Sequence, residues 1–474
     1  MLFNSLEFLL IFLPIVFCGY FLLSKVNLKK FTNLWLLIAS LYFYAYYKIE
    51  FLPIILSSIV FNYIAGYFIT KDYSQNKKKI ILTVAIVGNL MLLCYYKYFN
   101  FLIDTINTFN FAHFDTMKLM LPLGISFFTF QQISYLTDAY KGEVKHPNFI
   151  DYSLFVSFFP QLIAGPICTY KELVPQFEDF SKKVINNENI RRGLFFITIG
   201  LLKKVLLADN FTDFIQDVIK QEAMTEFYTT WIFAFSIAMQ GYFDFSGYCD
   251  IAIGLGSLFN IELPINFDSP YKSKDISDYW RRWHITMGRF LKYHVYIPMG
   301  GSRRGEIRTY WNLFFVFLVT GIWHGANWCC IFYGVINGIL VSINKLWKKT
   351  NIQINDKLAV FITFMTMVSI APLVMLKHIH QYFLSIKSML GFHTPFVPVS
   401  ISDFNFVFSN SQLKLNAILF FVSLFIIFGL KNTNELAPKY VKSKNAFLTV
   451  LLVVVFTVCA LSITKRSEFI YFNF

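Results

Sequence analysis

Among eight histidines, His324 stands apart. It lies in VTGIWHGANWCCIFYG, between two apolar runs that are each about one helical crossing long, so its imidazole falls within the thickness of a membrane. Ionisable groups there are costly and mark function by default. A neutral imidazole, titrating near about 6.5, can take a proton from a hydroxyl at physiological pH, which suits a general base. The plainer alternative is a core histidine bonded to a backbone carbonyl. His284, in DYWRRWHITMGRF, is the second candidate. His294 reads as an interfacial residue, and His113, His146, His378, His380 and His393 fall in loops or span ends. His378 and His380 come nearest to a metal pair, yet no carboxylate or third histidine stands near them, so no metal is assigned.

The arginines point to the same region. The chain has 42 Lys and Arg, of which only nine are Arg, and six of those nine lie between 281 and 308. A chain rich in Lys, Ile, Asn and Phe fits an AT-rich genome, so its Lys says little about function; forked guanidinium groups concentrated in one place suggest recognition of phosphate or carboxylate. Arg281, Arg282 and Arg289, set among aromatics beside His284, are the candidates for that role. Arg303, Arg304 and Arg308 serve equally well as a positive-inside anchor. Gly300 and Gly301 could bring backbone amides to an anion, though a Gly pair is also a common turn. The seven cysteines are dispersed with no CxxC pair and read as small buried hydrophobes.

The elements that carry these residues are set by composition. Of 474 residues 56% are apolar, 19% aromatic and 15% charged, and mean hydropathy is +0.52. Soluble domains carry roughly 25% charge, so a soluble enzyme, a disordered chain, a disulfide scaffold and a collagen are excluded. The chain reads as a polytopic membrane protein. The first apolar block, Leu6 to Ser24, lacks a basic leader and a cleavage site and is expected to stay as a span. Further spans are expected near 31–48, 51–70, 80–99, 117–138, 193–208, 228–256, 309–325, 327–345, 357–376, 414–430 and 445–464. The segment 150–168, interrupted by Pro160, Gly165 and Pro166, reads as a re-entrant hairpin. Basic loops at 25–30, 71–79, 141–145, 182–192, 345–349 and 439–444 go to the cytoplasm, which puts both termini and the loop 377–413 outside. No internal repeat is evident.

Three uncommon words occur in order: GYFDFSGYCDIAIGLG (241–256), YWRRWHITMGRFLKYHVYIPMGGSRRG (279–305) and GIWHGANW (321–328). With them the sequence resembles the membrane-bound O-acyltransferase (MBOAT) family, and more closely its bacterial alginate and peptidoglycan O-acetylation subgroup, over essentially the whole chain. The resemblance implies an all-α integral membrane fold: a ring of about eleven tilted helices, with re-entrant and short interfacial helices, around a central catalytic chamber. It implies a single domain over 1–474 with its catalytic core near 240–338, His324 as the catalytic residue and His284 close by. Where relatives often read LRDY this chain reads LKYH (291–294), so an aspartate is missing. The terminal SEFIYFNF (467–474) resembles an aromatic motif of the subgroup, and of a small partner protein in teichoic acid D-alanylation, whose tyrosine is proposed to carry the acyl group. Tyr471 matches it. A phenol is a competent acyl acceptor once deprotonated, and an interfacial aromatic anchor is the alternative for this tail of residues 465–474.

The resulting expectation is an O-acetyltransferase of the bacterial cytoplasmic membrane. Acetyl-CoA is the donor substrate, with no cofactor, and its phosphates are held near Arg281, Arg282 and Arg289. His324, assisted by His284, deprotonates an acceptor hydroxyl, and the acetyl group leaves outside on Tyr471 or directly on a partner. An extracytoplasmic SGNH-type transferase then passes it to a polysaccharide, peptidoglycan first and alginate or another exopolysaccharide second, because low Arg content sits awkwardly with a GC-rich alginate producer. From composition alone a secondary transporter would rank ahead, but such proteins usually carry an internal transmembrane repeat.

Overall fold

The computed structural model describes residues 1–26, 28–108, 113–220, 224, 227–350, 352–392, 411–443, 445–463 and 469. Regular structure among them is helical, apart from one isolated antiparallel bridge between Phe267 and Trp283. Among the described residues five helices are long and apolar enough to cross a membrane: Phe8–Lys25, Ile49–Thr70, Gln75–Thr108, Trp328–Trp347 and Asp356–Val374. Leu415–Gly429 and Thr433–Lys442, bent by 70° at a short break, make a sixth if they count as one span. Other expected spans fold as shorter helices, among them Thr32–Tyr47, Ile125–Tyr140 and Ala446–Leu461 at 16 residues each. At 1.5 Å per residue such a helix covers about 24 Å, less than the roughly 30 Å of a hydrocarbon core. The outward faces carry Leu10, Ile15, Val84, Met91, Phe361 and Val450 in exposed positions. In water such exposure would be unfavourable; against lipid it costs nothing.

The chain divides into two compact units interleaved along the sequence. Among the described residues the first comprises Met1–Ile199, Tyr248–Ile265 and those from Ala437 on; the second comprises Gly200–Gly247 and Asn266–Leu436. In the first unit the polar side chains that face inward find one another across helices. Asn62 and Asn89 exchange amide hydrogen bonds of 3.0 and 2.6 Å, Asn62 also donates to Gln132, and the Tyr152 hydroxyl donates to Gln132 Oε1 at 3.4 Å. This satisfies groups that lipid could not. The segment 151–168 is buried throughout and broken into Phe149–Ser157 and Phe159–Leu162. Irregular backbone at membrane depth is tolerated where protein covers it in this way. Two of the basic loops also meet in this unit: the Arg191 guanidinium donates to the carbonyls of Val441 and Ser443 at 3.1 and 2.6 Å and lies over the Tyr440 ring.

The second unit carries a buried ionic cluster. Lys204, in a π-helical segment Leu202–Ala208, pairs with Asp209 at 2.9 Å and Asp244 at 2.7 Å. Its most tightly packed feature is the hairpin of Glu306–His324 and Trp328–Trp347. A Cβ added to Gly321 would meet the Cys330 carbonyl oxygen and lie 2.8 Å from Gly334 Cα, and one added to Gly334 would lie 2.5 Å from the Phe317 carbonyl oxygen. Small residues thus let the two backbones touch, the arrangement that favours helix association in a membrane.

Candidate active site

That hairpin fixes His324. The histidine is the last residue of Glu306–His324, and Gly325 after it is extended. Asn327 then caps the next helix by accepting from Cys330 N–H at 2.8 Å. His324 is buried, with its ring 5.1 Å from Trp323 and 5.8 Å, edge to face, from Tyr333.

His284 is held differently. Helicity in DYWRRWHITMGRF stops at Arg282 and resumes at Ile285. Between them His284 takes a left-handed backbone conformation, φ 47° and ψ 53°, which costs a residue with a Cβ about 1–2 kcal/mol. Such strain persists only where surroundings over-determine it, and it gathers at functional sites. Here the surroundings are the strand-like stretch 266–268. Phe267 bridges Trp283, Asp268 N–H donates to the Arg282 carbonyl, and Ile285 N–H donates to the Asn266 carbonyl, both at 3.0 Å. Asn266 Oδ1 additionally accepts from Thr286 N–H at 3.1 Å and Thr286 Oγ1 at 3.0 Å, and lies 3.2 Å from His284 Nδ1. The His284 ring is fully buried, edge-on to Phe245 at 4.7 Å and 5.6 Å from Trp323. The two histidines of the sequence motifs therefore share one indole, Trp323.

A cavity of about 620 Å³ reaches His284. Buried Met287 and Thr320, together with Trp280 and Phe317, form apolar wall beside His284, while Arg281, Arg289, Lys292, Lys345 and Lys348 also line it. Wide, mostly apolar and ringed by cations, it has the character of a site for a ligand with an anionic end. Of the three arginines expected to act together, Arg281 and Arg289 line the cavity, and Arg281 also contacts Asp278 at 3.2 Å. Arg282 is turned to Asp278 Oδ2 at 3.0 Å and to the Asp268 carbonyl at 3.4 Å, so it braces the turn that carries His284. Lys348 pairs with Asp275 at 2.9 Å. Burial alone would raise the Asp275 carboxyl, but the Lys348 hydrogen bond, the Asp278 N–H and the positive charges nearby hold it below the usual carboxylate range.

Two residues that sequence reasoning passed over belong to this site. Asn266 lies 18 residues before His284, and its only signal was a polar side chain in a short non-helical stretch. Asn337 is a fully buried amide inside an apolar helix, a detectable oddity. It accepts from Trp280 Nε1 at 3.2 Å and donates to the Tyr333 carbonyl at 2.8 Å, tying the arginine-bearing helix to the one behind His324. His294, the last residue of the departing LKYH word, packs its ring at a tilt against Phe290, 4.5 Å away. The His378 and His380 rings stack at 5.5 Å, and no group of three metal-ligating side chains occurs among the described residues. Tyr471 lies outside the described residues. Phe469, two positions earlier, is buried against Tyr248 at 4.8 Å in the first unit and so does not meet lipid as an anchor would.

Comparison with known proteins adds to this geometry. The profile of the membrane-bound O-acyltransferase family matches residues 40–351. A peptidoglycan O-acetyltransferase of Helicobacter pylori is 38% identical, the match covering 100% of this chain and 98% of the relative. A probable alginate O-acetylase of Pseudomonas aeruginosa is also 38% identical, over 73% of this chain and 66% of the relative. A teichoic acid D-alanyltransferase of Bacillus subtilis is 26% identical over 50% of this chain and 62% of the relative.

Proposed function

Since this chain belongs to the membrane-bound O-acyltransferase family, in its bacterial alginate and peptidoglycan O-acetyltransferase group, we propose that it carries acetyl groups from cytoplasmic acetyl-CoA across the bacterial inner membrane for O-acetylation of peptidoglycan. That it is a multi-pass membrane O-acetyltransferase follows from the family and from its apolar helices, and this displaces the transporter reading. The choice of peptidoglycan over alginate is supported by the Helicobacter relative, 38% identical over the whole chain, against 32% for the probable alginate O-acetylase of Pseudomonas putida, which also matches from end to end.

The donor reading is carried by one observation: a cation-lined cavity that runs to His284, whose ring shares the Trp323 indole with His324. Arg281 and Arg289 suit the phosphates of coenzyme A, and the apolar wall suits the pantetheine arm. In the transfer an acceptor hydroxyl oxygen attacks the thioester carbonyl carbon, the new C–O bond forms, and the C–S bond breaks. His324, assisted by His284, takes the hydroxyl proton and returns it to the departing sulfur, so acetyl-CoA and alcohol become ester and free coenzyme A. The acceptor is the Tyr471 phenol or a group on an external partner, and an SGNH-type transferase outside the membrane completes delivery to the polysaccharide. Transfer of label from acetyl-CoA in vesicles tests this reading: wild type should label an external acceptor, and His324→Ala should not. Equal transfer by both overturns the catalytic assignment.

A further inference from the structure

We infer that Asn266 is a positioning residue that holds His284 in the tautomer protonated at Nδ1, leaving Nε2 as the ring's proton-accepting nitrogen. The argument starts from the one donor here whose chemistry allows no choice, a backbone N–H. Thr286 N–H points at the terminal atom of the Asn266 side chain at 3.1 Å. An amide nitrogen there would set two donors against each other, so that atom is the carbonyl oxygen; the network itself resolves the usual ambiguity between amide oxygen and nitrogen. The same oxygen lies 3.2 Å from His284 Nδ1. An unprotonated Nδ1 would place two lone pairs in contact in a buried site, so Nδ1 carries the hydrogen and donates it.

A neutral imidazole with Nδ1–H has its lone pair on Nε2. The backbone enforces this choice twice over. The Asn266 carbonyl accepts from Ile285 N–H at 3.0 Å, so Asn266 grips the residue after His284 by its main chain and His284 itself by its side chain. The left-handed conformation of His284 is what lets both contacts form at once. His284 can therefore accept a proton or hydrogen bond at Nε2 in the resting site, and donates from Nε2 only after it has been protonated.

The catalytic consequence rests on the reading of His284 as part of the proton-handling pair; the tautomer does not. The test uses the full chain in lipid nanodiscs with 15N-labelled histidine, at alkaline pH where imidazoles are neutral, with His284→Gln identifying the resonances. A protonated-type signal at Nδ1 and an unprotonated-type signal at Nε2 are expected, and the reverse assignment overturns the inference. Asn266→Leu should lose the bias and lower kcat about 100-fold or more, with KM for acetyl-CoA little changed. Asn266→Asp keeps an acceptor, should keep the tautomer, and by stabilising imidazolium should move the pH–rate profile to higher pH, which a merely structural role would not do. If Asn266→Leu does not fold, the wild-type spectrum and the Asp variant still decide the matter. Unchanged kcat in a folded Asn266→Leu, with the expected wild-type tautomer, would sink the catalytic role of His284 and leave the tautomer standing.

Discussion

Gly334 lies so close to Gly321 that a side chain on the latter would reach within 2.8 Å of Gly334 Cα. This backbone contact fixes how closely Glu306–His324 approaches Trp328–Trp347, the hairpin that carries His324 at its turn. Gly334→Val should therefore force the helices apart, destabilise the protein by about 1–3 kcal/mol or more, and reduce transfer even where protein accumulates. Thermal unfolding in detergent and the vesicle assay check the two effects; a variant as stable and active as wild type would mean the contact does not position the histidine.

His324→Ala should cost about 100- to 10,000-fold in transfer, the range of a lost general base, while binding of acetyl-CoA stays within a few-fold. The measurement is single-turnover transfer at saturating donor alongside equilibrium binding of labelled acetyl-CoA.

The three clustered arginines should separate by phenotype. Arg281→Ala and Arg289→Ala should each raise KM for acetyl-CoA about tenfold with kcat nearly unchanged, the signature of a lost ground-state contact to phosphate. Arg282→Ala removes a brace on Asp278 and the Asp268 carbonyl, so its effect should fall on kcat and stability. Steady-state kinetics across the three variants test this, and a uniform rise in KM would return Arg282 to the donor site.

Tyr471→Phe removes the one hydroxyl in SEFIYFNF apart from that of Ser467. If the phenol carries the acetyl group, label should no longer reach an external acceptor, and the protein itself should no longer trap label when the acceptor is withheld. Undiminished transfer would assign the carrier role elsewhere.

How far the sequence alone revealed this site follows from the kind of contact each residue makes. His324 and His284 were legible because ionisable rings are rare among apolar runs, and Arg281 and Arg289 because arginine is scarce in this chain. The helical class followed from composition. The break at His284 was hidden, since no Gly or Pro stands at or beside it to announce a left-handed residue, and the nearest glycine, Gly288, lies inside the following helix; the conformation is held by Asn266, 18 residues back in the chain. Arg282 could not be told from its neighbour, because only the fold brings Asp268 to it. The segment 150–168 was correctly marked as interrupted by its prolines and glycine, but that protein buries 151–168 throughout is a property of its neighbours.

The helix Gln75–Thr108, 34 residues long, has a consequence for orientation in the membrane. At 1.5 Å per residue it spans about 51 Å, and fitting that within a hydrocarbon core of roughly 30 Å would need a tilt of about 54°, beyond the range of roughly 0–40° found for such helices. One end must stand clear of the lipid. If charge holds the end that begins with Lys77, Lys78 and Lys79 at the headgroups, the other, with Asn100, Asp104 and Asn107, should rise into the aqueous phase on the far side. It works as a built-in depth gauge: a cysteine at Asp104 should react with a membrane-impermeant thiol reagent from outside the cell, and so report which way up the whole chain is inserted.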